Sequence, residues 1–312
     1  MARPAKKLHR NQNIPNNSFK GKIMQQYELN WKKMDPEAKW GVPAEKYTGV
    51  NAWFAFVLGF VFTLVFYGLL FPFWRLQNMQ MIDMFFHGGE AHRSMIPYYT
   101  VFLAMWCLAF LLLKWRKLTV QRKALLFSVV PDEHGFLLSP ENSAELLHRI
   151  DARIYRPEGF MVINRMRKAL SNLKNMGRIS DVSSVLGDLA AADEKYVEST
   201  YTLPKGLIWA IPVTGFIGTV LGLSSAVGGF GAVVSQGADM DMLKEALGGV
   251  TGGLAVAFET TLIALVAALV IQLLMTLLIR KEEAFLDECS AYCYDNIISK
   301  LKIIDIKDDL LN

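Results

Sequence analysis

Cysteine is scarce, three in 312 residues, and where the three fall excludes a disulfide framework. Cys107 sits in an apolar run, and Cys289 and Cys293 fall one helical turn apart in a tail expected to face the cytoplasm, where thiols stay reduced. Without partner ligands nearby, that pair reads as ordinary helix packing rather than a metal site. His87, Glu90 and His92 are a second set of donors, but Gly88 and Gly89 between them make a flexible turn, a poor frame for a metal. No metal or organic cofactor is expected. The motifs of nucleotide and acyl-transfer chemistry are missing too: there is no P-loop, Rossmann turn or hydrolase elbow. No nucleophile, base and orienting group cluster in any segment, so an enzyme is not expected. The first 50 residues hold no compact apolar stretch ending in a cleavage site, so no secretory signal is read there.

Charge is also sparse, and its distribution sets the class. Charged residues make up 20% of the chain against 52% hydrophobic ones. Residues 51–73 and 95–113 contain none, and residues 206–234 and 247–279 hold only Glu259 between them. A helix rising about 1.5 Å per residue needs roughly 20 residues to cross about 30 Å of hydrocarbon. All four blocks qualify. The fold class expected is all-α, a polytopic membrane protein with four transmembrane helices. Pro72 ends the first span, Pro97 starts the second, and Pro212 lies inside the third, where a kink or widened turn is expected.

Basic residues orient the spans. Lys and Arg crowd residues 1–50, 115–205 and 280–307, whereas the linker after the first span has only Arg75 and Arg93, and the linker after the third only Lys244. The positive-inside rule therefore places both termini and the middle segment in the cytoplasm. Trp53, Trp74, Trp115 and Trp209 near the span ends fit the same frame. The formal charge of +4 is explained by topology and anionic lipids, so no nucleic-acid partner is expected. The domain layout follows: a basic tail over 1–50, a hairpin over 51–114, a helical cytoplasmic segment over 115–205, a two-span core over 206–280 and a C-terminal helix over 281–312. Within the tail, Ile23, Met24, Tyr27, Trp31 and Met34 suggest an amphipathic helix, lying either on the membrane face or on the protein's own cytoplasmic part. In the middle segment, Ser139-Pro140-Glu141 predicts a helix start, a second helix is expected from 160 to 174, and a third from Ser180 towards Pro204.

The core carries the functional pattern. Gly218 and Gly222, with Gly215 nearby, form a small-residue face on the third span, and Gly248/Gly252 and Gly249/Gly253 repeat it on the fourth. At 100° per residue Asp241, Gly248, Gly252, Ala255 and Glu259 share a narrow sector of the fourth helix, with Thr251 at its edge; Thr260 and Thr261 point elsewhere. A membrane threonine commonly bonds its own i−4 carbonyl and does nothing else. An ionisable residue inside a span, by contrast, is a functional candidate by default, which singles out Glu259.

The run from Trp209 to Leu223, WAIPVTGFIGTVLGL, followed by Glu245-Ala246-Leu247 and by GLAVAFETTL from Gly253, resembles the MotA/TolQ/ExbB proton-channel family. That resemblance covers about residues 201–280. It implies an ion channel or stator subunit of a rotary membrane motor in a bacterial inner membrane. Five copies would surround a dimer of a MotB/TolR/ExbD-like single-span partner that carries an intramembrane Asp, and H+ or Na+ would be transported. The third-span threonine of the family maps onto Thr219. The last-span threonine of the TolQ and ExbB branches would align with Val250, leaving Thr251 as a displaced counterpart, and Glu259 stands where those branches have Pro. Thr219, Thr251 and Glu259 are thus expected to line the ion path. Pro212, Gly215, Gly218, Gly222, Gly248 and Gly252 are expected to pack helices or face the pore, and Thr260, Thr261 and Glu245 are further candidates. The competing reading is a non-conducting oligomeric scaffold. A small-solute transporter would show inverted repeats, and no internal symmetry is visible.

Overall fold

The computed structural model describes residues 29–43, 45–76, 80–86, 95–127, 130, 137–173, 179–235 and 239–301. Among these the regular structure is helical, with two isolated β-bridges. Four helices are long and apolar enough to cross a membrane: α3 (Ala52–Leu76), α5 (Ile96–Ala124), α9 (Thr202–Ser235) and α10 (Met240–Asn296). The short helices α1 (Trp31–Met34), α2 (Pro36–Lys39) and α4 (Gln80–Asp83) flank the first hairpin, and α6 (Pro140–Arg153), α7 (Met161–Asn172) and α8 (Ile179–Ser199) form the middle segment. The chain is a multi-pass membrane protein.

Helix ends follow local chemistry. Ser139 caps α6 in a reciprocal capping box with Asn142, and Pro140 fills the first turn, where its missing N–H costs nothing. α9 runs on through Pro212, and α3 passes Pro72 to end at Leu76. α10 is 57 residues, about 86 Å at 1.5 Å per residue. It continues into the charged tail because no Gly or Pro falls between Gly253 and its end at Asn296.

Three registers tie the spans together. In the α3–α5 hairpin, Gly59 lies against Trp106 and the ring of Tyr67 lies 5.0 Å from that of Tyr98, a step of eight residues on each helix. Between α5 and α9, Lys114 Nζ meets Thr200 Oγ1 at 2.7 Å and the Thr100 and Thr214 hydroxyls meet at 3.1 Å, fourteen residues along on both. Between α9 and α10, Gly215 faces Ala264, Gly222 faces Ala257, and Gly253 faces Ala226. The last pair packs so closely that a Cβ on Gly215 would lie 2.5 Å from the Ala264 Cβ, and one on Gly253 2.8 Å from the Ala226 Cβ. Small residues are what permit this approach where lipid offers no hydrophobic drive.

The described end of the tail packs inward. Trp31 is buried edge-on against Phe160, at 5.2 Å between ring centres, and beside Gly159, while Tyr155 N–H donates to Leu29 C=O. For these residues the protein's own middle segment, not a membrane face, is the partner. The earlier part of the expected amphipathic helix, with Ile23, Met24 and Tyr27, lies outside the described residues, as do His87, Glu90 and His92. Cys107, Cys289 and Cys293 are free and buried.

Candidate functional site in the paired long helices

α9 and α10 form the site, because their small-residue faces bring two backbones close enough for side-chain hydroxyls to reach across. Thr219 Oγ1 lies 3.2 Å from Ala257 C=O and 3.3 Å from Gly215 C=O, and it is hydrogen-bonded to the Thr261 hydroxyl. Thr261 Oγ1 in turn donates to Gly215 C=O at 3.1 Å. Two hydroxyls and two carbonyls therefore converge in an otherwise apolar stretch. Each hydroxyl has one proton and two lone pairs, so the group as a whole has more acceptor than donor capacity and presents oxygen to whatever approaches it. Both threonines are only half-buried. Thr260, one residue before, is buried and bonds Ala257 C=O at 2.9 Å while packing on Gly218.

The other candidates fall on different surfaces. Thr251 is exposed and bonds only within its own helix, to Gly248 C=O at 2.8 Å. A Cβ on Gly248 or Gly252 would meet nothing within 4 Å. Thr219 thus meets Thr261, not Thr251, within one protomer. The geometry is simple: residues 253, 257, 260, 261 and 264 share the face turned to α9, and the sector of Gly248, Gly252, Ala255 and Glu259 lies nearly opposite. Glu259 is half-buried there, and Glu245 is exposed near the start of α10. Gly215, Gly218 and Gly222 are buried against α10, and Pro212 is half-buried. The signal that picks out Thr261 is the stripe Gly253, Ala257, Ala264 and Ala268, small residues at helical spacing that flank it.

A second polar centre lies at the end of the bundle marked by Lys114 and Lys117, and the sequence gives no local sign of it. Lys114 Nζ is 3.1 Å from Glu282 Oε1, with both side chains buried. Tyr201 donates to the other Glu282 oxygen at 2.6 Å, and Thr48 also bonds the carboxylate. Lys117, equally buried, donates to Glu37 Oε2 and Gly49 C=O, both at 2.6 Å, with Asp35 Oδ1 at 3.6 Å. Burial pushes the Asp35 carboxyl above its usual range, against the pull of the Lys117 charge. Sequence rules treat lysines at span ends as snorkelling to headgroups, but here the partners come from segments 66 to 168 residues away. Among the described residues no cluster of three or more metal-ligating side chains occurs.

Residues 160–290, from the start of α7 nearly to the end of α10, match the family model of the MotA/TolQ/ExbB proton channel family. This segment belongs to that family. It makes up 131 of the 312 residues, and both halves of the hydroxyl pair lie within it. No curated protein and no solved structure matches the chain. The family so matched is one of ion-channel-type membrane complexes. The chain's extra hairpin, α3–α5, stands outside the matched region and packs on it through the Thr100–Thr214 bond.

Proposed function

We propose that this protein is the ion-conducting subunit of a membrane motor, in which several copies, five by the family resemblance, surround a dimer of a single-span partner bearing an intramembrane carboxylate. The reading rests chiefly on the Thr219–Thr261 oxygen group, held between two helices of a proton-channel segment. The basic end faces the cytoplasm of a bacterial inner membrane, consistent with the Lys and Arg bias. The partner's Asp carries H+ or Na+, and Thr219 and Thr261 supply oxygens that replace part of the water it sheds. Glu259 and Thr251, on the opposite face of α10, line the surface that meets the partner helix or a neighbouring copy. One charge crossing 100 mV releases about 2.3 kcal/mol, enough to bias one step of rotation.

The bonds within the protomer also favour a second reading. Thr219, Thr260, Thr261 and Thr251 all bond carbonyls of α9 or α10, as a non-conducting scaffold would have them. One experiment separates the two. Tagged protein is drawn from its native membrane with its bound partner, reconstituted in vesicles, and ion flux under an imposed gradient is measured for Thr219→Val and Thr219→Ser. Valine keeps the shape and removes the oxygen; serine restores it. The channel reading expects flux to fall at least tenfold in the first and to recover in the second. Equal flux in Thr219→Val and wild type refutes it.

A further inference from the structure

The four spans are not the same length, and their registers show where the excess lies. On α3, Trp53 and Trp74 are 21 residues apart, about 31 Å along the helix. That is one hydrocarbon core, with an amphipathic ring at each margin. Between them Val57, Phe60, Val61, Leu64, Val65 and Leu69 are exposed, an apolar belt of hydrocarbon thickness. The hairpin therefore fixes the bilayer on this molecule.

The other helices can be read against that belt. Tyr67 is level with Tyr98. By the Thr100–Thr214 register Tyr98 is level with Phe216, and by the Gly215–Ala264 register Phe216 is level with Ile263. Trp74 lies seven residues further, which falls at Leu223 on α9 and Val256 on α10. Beyond that level α9 continues twelve residues to Ser235 and α10 sixteen to its start at Met240, about 18 and 24 Å. Composition changes at the same place. On α10, residues 260–279 hold thirteen Leu, Ile, Val or Met in twenty. Residues 240–256 hold seven in seventeen, with Asp241, Lys244 and Glu245 among them. On α9, eight of the thirteen residues from 223 to 235 are Gly, Ala or Ser.

We propose that these glycine-rich tips stand clear of the bilayer as a two-helix projection on the face opposite the basic end, which sets Glu259 at the outer headgroup margin rather than at membrane depth. Glu259 lies three residues inward of the level of Trp74, about 4–5 Å. Resting on the channel reading above, Glu259 is then the acidic side chain at the outer mouth of the membrane, with Asp241 and Glu245 further out on the projecting tip.

The test is a depth measurement on the full chain, in complex with whatever partner co-purifies, in lipid vesicles. Spin labels are placed one at a time at the consecutive positions 227–230, at 259 and at 265–268, so that every face of each turn is sampled. Relaxation by a water-soluble nickel chelate is compared with relaxation by oxygen, which concentrates in hydrocarbon. The projection predicts that the chelate dominates over 227–230 and balances oxygen at 259, while oxygen dominates at the lipid-facing positions of 265–268. Oxygen dominating at 227–230 as it does at 265–268 overturns the proposal, and so does a label at 259 as deep as those at 265–268. This readout does not depend on flux, so a failed channel reading leaves it standing and a failed projection leaves flux untouched.

Discussion

Gly215 offers the sharpest quantitative check on the α9–α10 pairing. A methyl group there would lie 2.5 Å from the Ala264 Cβ, 3.2 Å from the Thr261 Cα and 3.3 Å from the Thr260 carbonyl oxygen. None of these is the yielding end of a long side chain, so the helices must move apart. Overpacking of this kind costs about 1–3 kcal/mol. Replacing a helical Gly by Ala returns about 1 kcal/mol in soluble hosts, so Gly215→Ala should destabilise by up to about 2 kcal/mol net. The same change at Gly252, where nothing lies within 4 Å, carries only the gain and should leave the protomer as stable as before or more so. Ala264→Gly opens the space that the new methyl needs. The double variant Gly215→Ala/Ala264→Gly should therefore sit within about 1 kcal/mol of wild type, a coupling of the sign and size expected of residues in contact. Unfolding of the detergent-purified protein, followed by intrinsic tryptophan fluorescence against denaturant, reads all four forms. If Gly215→Ala and Gly252→Ala shift the midpoint alike, or the second change fails to rescue the first, the helices do not approach as described.

Other consequences are equally direct. Glu282→Gln should cost about 3–5 kcal/mol, because it leaves the Lys114 ammonium buried without its carboxylate; Lys114→Met/Glu282→Met should recover at least half of that loss in the same unfolding assay. Asp35 titrates higher in the fold than in the unfolded chain. Its charged form is therefore disfavoured by folding, so its cost is absent below the unfolded value near 3.8 and grows as pH rises towards the folded value. Asp35→Asn should accordingly raise the melting temperature at pH 7 and leave it unchanged near pH 3; a loss at pH 7 would mean that the Lys117 attraction outweighs burial. Trp31→Ala should cost about 3–5 kcal/mol through the emptied space against Phe160 and Gly159. A Trp31 lying on the membrane instead would leave thermal stability of the detergent-solubilised protein unaltered.

How much of this was legible in the sequence differs by level. The four spans were, because length and the absence of charge are properties of a segment by itself, and the cap at Ser139 was for the same reason. The end of α10 was not. Arg280, Lys281, Glu282 and Glu283 mark where the membrane stops, but a helix stops only where its backbone is interrupted, and nothing interrupts it before Asn296. The Lys114–Glu282 pair was invisible because its members are 168 residues apart and each alone resembles an interfacial charge. Thr261 was recoverable in principle. Two small-residue stripes run along α10, and the one holding Gly248 and Gly252 is the denser in glycine, which draws attention from the Ala257, Ala264 and Ala268 stripe that packs on α9.

The two stripes also divide the labour of the helix. A face already filled by α9, with Gly253, Ala257 and Ala264 in van der Waals contact or closer, has no room for a second helix, so in the complex proposed above a neighbouring copy or partner must use other surface. The small-residue part of what remains on α10 is the sector of Gly248, Thr251, Gly252, Ala255 and Glu259, of which the glycines stand open. Substitution on the inner stripe should therefore lower the stability of the isolated protomer. Bulk added on the outer one, such as Gly252→Leu, should leave the protomer folded and abolish co-purification of its partner or its other copies. An outer-stripe variant that unfolds the protomer, or one that binds as wild type does, would show that the division is wrong and that α10 meets its neighbours through some other surface.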